Sequence, residues 1–85
     1  MDTKKLTNLA IEGNADKIKE YRKELVGLIN TKNLQSMRIK SVLERVKLVP
    51  GADEEVTRFT KEFEDCERII KDAEDAISII DKWAF

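Results

Sequence analysis

The chain has no histidine, one cysteine and one proline among its 85 residues, and each shortage closes off a class of function. Without His and with a single Cys, the usual ligand sets of zinc sites cannot be assembled. One Cys also leaves no intramolecular disulfide. The Glu-x-x-His pairs of di-iron bundles are missing for the same reason, and no Gly-centred calcium loop is present. Neither a metal nor a cofactor is therefore expected. Aromatic residues make up 6% of the chain, and none is interleaved with its basic residues, so a base-stacking surface is lacking and nucleic acid is not an expected partner. No stretch approaches the ~20 apolar residues of a membrane helix. Met1 to Glu12 has no apolar run of signal-peptide length. The expectation is a cytoplasmic protein without membrane contact.

What is present is charge and periodicity. Charged residues account for 39% of the chain and apolar residues for 41%. From Gly51 onward, apolar residues fall at Val56, Phe59, Phe63, Cys66, Ile70, Ala73, Ile77 and Ile80, in steps of three and four. This is the a/d pattern of a coiled-coil-like helix. A second stripe runs through Ile18, Tyr21, Leu25 and Leu28 and resumes at Ile39, Val42 and Val46. Val49-Pro50-Gly51 between the two stripes reads as a stop and a turn. Upstream, Asp2 or Thr3 can cap a short helix carrying Leu6 and Leu9. Gly13 suits the left-handed position that ends it, and Asn14 the cap of the next.

The fold class expected is all-α: an antiparallel hairpin of two long helices with a short N-terminal helix. Its single domain divides into a short helix at 2–12, a long helix at 15–48, a turn at 49–51 and a long helix at 52–84. The weak helix formers Asn30, Thr31 and Asn33 mark the alternative, a break near 30–33 that gives a compact four-helix bundle. Matching helix lengths favour the hairpin, whose open end the short helix can cover. Such a rod cannot enclose its own apolar stripe, so a homo-oligomer is expected.

The near-neutral total hides a division of charge. Residues 1–50 hold 11 Lys and Arg against 6 Asp and Glu, a net of +5, and residues 51–85 hold 5 against 11, a net of −6. Lys32, Arg38, Lys40, Arg45 and Lys47 form the candidate surface for a partner or a small anion. The competing reading pairs them with the acidic helix. Lys32 and Gln35 fall on the seam, where polar residues can fix register.

The dense carboxylates Glu62, Glu64, Asp65, Glu67, Asp72, Glu74 and Asp75 read as a solvated face, with partners such as Glu64–Arg68 and Glu67–Lys71. Cys66 is expected to be a small buried hydrophobe, since its acidic neighbours disfavour a thiolate. Leu34, Met37, Phe59, Phe63, Trp83 and Phe85 are the candidate interface residues. No general base or activated nucleophile can be assigned, so no enzyme is expected. Two functions remain. One is a helical protein-interaction or assembly module, such as a small adaptor, assembly factor or phage-type inhibitor. The other is a helical oligomer binding a small anion, such as a nucleotide, in a basic pocket between subunits.

Overall fold

In the computed structural model, which describes residues 2–83, the chain forms α1 (Thr3–Glu12), α2 (Ala15–Val46) and α3 (Asp53–Asp81). The architecture is an all-α hairpin of α2 and α3 with α1 docked beside it. The ends of the helices follow local chemistry. Asp2 accepts from the Lys5 backbone N–H at 3.1 Å. Gly13 takes a left-handed φ of 62° and donates its N–H to the Leu9 carbonyl at 3.0 Å. Asn14 Oδ1 accepts from the N–H groups of Asp16 and Lys17 at 3.1 and 3.2 Å, so two otherwise orphaned donors are satisfied at the start of α2.

At the hairpin turn Gly51 has φ 83°, a conformation that a Cβ would strain. α3 begins without a side-chain cap. Asp53, Glu54 and Glu55 in its first turn instead face the positive end of the helix dipole.

α2 runs through Asn30, Thr31 and Asn33 without interruption, so the break near 30–33 does not occur. Thr31 Oγ1 donates to the Gly27 carbonyl at 3.0 Å and Ser36 Oγ to the Asn33 carbonyl at 3.0 Å, which keeps both hydroxyls bonded within the helix. Propensity is a weak force here. Burial of a stripe along 32 residues overrides a few tenths of a kcal/mol at each polar position.

The core falls into two clusters. At the open end Leu6, Leu9, Ile18, Leu25, Ala73, Ala76 and Ile80 are buried, with Tyr21, Ile29, Ile77, Ile79 and Trp83 packed around them. Toward the turn Ile39, Leu43 and Cys66 are buried, with Val56, Phe59 and Phe63 half-buried against them.

The seam of α2 departs from the heptad frame. Leu28 is 38% exposed, Gln35 is exposed and Val42 is half-buried, whereas Ser36 and Leu43 are each only 7% exposed. The cause is geometric. A straight α-helix turns once in 3.6 residues, so a strict seven-residue pattern drifts by about 20° per heptad. The buried line steps from Leu25 to Ser36 and Leu43. Lys32 keeps its half-buried seam position, but Ser36 replaces Gln35 as the second polar residue of that layer.

The result is a rod. Its extents are 55 × 19 × 15 Å and its radius of gyration is 17.1 Å. A globular chain of this length would have a radius of gyration of about 12 Å.

Candidate functional site

The basic residues do not converge. Lys32 lies in the seam, where its Nζ donates to Gln35 Oε1 at 3.1 Å. Arg38 and Arg45 are seven residues apart and share one line of α2, and Lys40 and Lys47 share another. The two lines stand about 200° apart around the helix, at 100° per residue. Arg38, Lys40, Arg45 and Lys47 are exposed and form no ion pair among the described residues. They are therefore not held by the acidic helix, and they do not build one pocket within the chain.

Leu34 is 58% exposed on the outer side of α2, close to the line of Arg38 and Arg45, and Met37, 65% exposed, lies about 60° around the helix from it, toward Lys40. Leu48 and Val49 continue the exposed apolar surface into the turn. This outer line is the clearest combination of apolar and cationic groups in the molecule. Phe59 and Phe63 are half-buried along the hairpin, with Arg58 lying 4.8 Å over the Phe59 ring. Trp83 is half-buried against the open-end cluster. Phe85 and Ala84 lie outside the described residues.

The carboxylates of α3 do not gather either. Among the described residues no three Cys, Asp or Glu side chains come close enough to hold a metal ion. Cys66 is a buried free thiol in the turn-side core. The pairs Glu64–Arg68 and Glu67–Lys71 do not form. Arg68 instead reaches Asp65 at 3.5 Å.

The cross-helix ion pair is one that the spacing gave no reason to choose. Arg22 donates from Nε to Asp81 Oδ1 at 2.8 Å and from Nη2 to Oδ2 at 3.2 Å. It is a two-pronged bridge tying α2 to the end of α3. Hydrogen bonding from Arg22 holds the Asp81 carboxyl below its usual range, with burial opposing and the charge of Arg22 assisting. Its folded-state pKa being depressed, Asp81 stabilises the fold fully above the unfolded value of about 3.9, and the contribution is lost as pH falls through the lower folded value. Both side chains are about half exposed, so the effect is small. Asp81→Asn is expected to lower the melting temperature slightly at pH 7, and the gap to the parent should close below pH ~4. Melting curves across that range check it, and an equal gap at every pH would contradict the bridge.

Tyr21 sits on the α1 side of the hairpin, with Lys5 Nζ 4.4 Å from its ring centre. Burial, then the negative charges of Asp2 and Glu24, raise its phenol pKa above the ordinary value. A shallow groove continues from there past α1, lined by Tyr21, Leu25, Leu28, Ile69 and Ala76. Among the described residues no helix is long and apolar enough to cross a membrane. No family model matches this chain, and neither a curated protein nor a solved structure matches it.

Proposed function

We propose that this chain is a non-enzymatic helical interaction module that self-associates through its hairpin and binds a protein partner, with a cytoplasmic location. The observation that carries this reading is surface. The chain exposes 6345 Å², whereas a folded monomer of 9.8 kDa exposes about 5,200 Å². The surplus of roughly 1,100 Å² exceeds the ~800 Å² that each partner buries in a standard interface. A rod of two helices leaves one flank of its stripe uncovered, and association with another helical surface is the simplest way to bury it. The outer side of α2, with Leu34, Arg38 and Arg45 on one line and Met37 beside it, is the surface offered to a different protein, and its charge favours an acidic one.

A second reading, a small anionic ligand, draws on the polar layer of Lys32 and Ser36 between the two core clusters, with exposed Gln35 accepting from Lys32. Thermal denaturation separates the two. If folding is coupled to self-association, the melting temperature rises with protein concentration. A panel of nucleotides and simple anions should leave it unchanged. A concentration-independent transition that a nucleotide shifts upward would reverse the preference.

A further inference from the structure

The flank of the hairpin opposite α1 carries an apolar row and two charged rows that the chain satisfies only in part. α1 docks on the side bearing Tyr21, with Lys5 over its ring and Asp2 beside the groove that Leu25, Leu28, Ile69 and Ala76 line. One residue further along each helix, about 100° around, lie Arg22, Ile70 and Ile77. The Arg22–Asp81 bridge therefore marks the uncovered flank. Along it α3 presents Phe63, Ile70 and Ile77 at seven-residue spacing, all half-buried. Ile70 packs against neither core cluster.

The charges beside this row are ordered. Lys40 follows Arg22 by eighteen residues, which is five whole turns at ~3.6 residues per turn, so both lie on one line of α2, with Lys47 close to it. On α3, Glu67, Glu74 and Asp81 follow one another at seven-residue steps. The flank thus has an edge on α2 where Arg22, Lys40 and Lys47 outnumber Glu44, which lies about 40° from Lys40, and an anionic edge on α3. Lys40, Lys47, Glu67 and Glu74 make no ion pair among the described residues.

We propose that the occupant of this flank is a second copy of the chain, packed about a two-fold axis parallel to the hairpin so that both turns lie at the same end. The inference rests on the self-association proposed above and adds the face and the orientation. Two closed arrangements can stack the flanks. An axis along the rod lays α2 of one copy over α3 of the other, antiparallel, with cationic edge on anionic edge. An axis across the rod lays α2 over α2 and α3 over α3, with like charges facing. Lys40 on one edge and Glu67 on the other, which the Arg22–Asp81 register puts within about one turn of the same level, select the first. The product is an antiparallel four-helix bundle in which Phe63, Ile70 and Ile77 meet their own copies across the axis.

Spin labels on exposed residues test this in the full chain. Cys66→Ala removes the native thiol, and Leu48→Cys or Asn8→Cys places one label at the turn or at the open end. Distances between labels should be under about 30 Å for both variants, a few interhelical spacings. With the axis across the rod, both distances should approach its 55 Å length. Two long distances in a dimer would overturn the orientation while leaving self-association standing. Absent dipolar coupling, with a monomeric mass throughout, would overturn both. Ile70→Glu checks the face. It should give a helical monomer, and a dimer of unchanged affinity would overturn the assignment of the flank.

Discussion

Ile18→Ala is expected to destabilise the fold by about 2–5 kcal/mol, the cost of truncating a fully enclosed aliphatic side chain. Ile18 is 2% exposed and sits where all three helices meet, against the cluster of Leu6, Leu9, Leu25, Ala73, Ala76 and Ile80. Removing its outer carbons loses apolar contact and leaves a void that three helices cannot all close. A domain this small has a net stability of only about 5–10 kcal/mol, so the variant should be close to unfolding. Urea titration followed by far-ultraviolet circular dichroism measures the loss. Leu34→Ala is the matched control, because Leu34 is 58% exposed and should change stability by less than ~0.5 kcal/mol in the monomer. A loss below ~1 kcal/mol at Ile18 would mean that α1 does not close the open end.

Thr31→Pro carries the other large effect. Thr31 is exposed in the middle of α2, so the substitution touches the backbone and hardly the core. Proline there removes one intrahelical hydrogen bond and its ring meets the carbonyl of Gly27, at a cost of about 3 kcal/mol or more. Thr31→Ala gives up the hydroxyl bond to Gly27 but keeps the helix, and should be nearly neutral. If residues 30–33 were a loop, the proline variant would melt like the parent. A large drop confined to the proline variant identifies one continuous helix. Phe63→Ala should cost less than a fully buried phenylalanine would, because Phe63 is half-buried in the protomer.

Much of the architecture was legible in the residues. Asp2, Gly13, Asn14 and the Val49-Pro50-Gly51 turn mark helix ends that depend on local bonding alone, and each is found where its chemistry puts it. Burial of Ala76 and the half-burial of Trp83 in the open-end cluster follow from Ile69, Ala76 and Trp83, which recur every seven residues beside the α3 stripe and widen it. Cys66, at a core position of that stripe, is 3% exposed.

What spacing missed depends on three-dimensional placement. The seam in α2 slides off the heptad frame, so Leu43 and Ser36 are buried where Val42 and Gln35 were expected. A helix packed along its whole length against one partner follows its natural 3.6-residue turn unless supercoiling holds the heptad, and a count from the first stripe cannot reveal that. Cross-helix ion pairs are equally hidden. Arg22 and Asp81 are 59 residues apart, and nothing nearby distinguishes Arg22 from other cations. The basic cluster looked continuous in the chain because Arg38, Lys40, Arg45 and Lys47 lie within ten residues of one another. Helical rotation sends its two arginines and its two lysines to different sides.

The mass of the protein in solution tests the self-associating rod most directly. Light scattering, with circular dichroism on the same samples, should be taken from low-micromolar to high-micromolar concentration. A helical species whose mass rises toward twice 9.8 kDa is the expected result. A well-folded species that stays at 9.8 kDa across the whole range would contradict it.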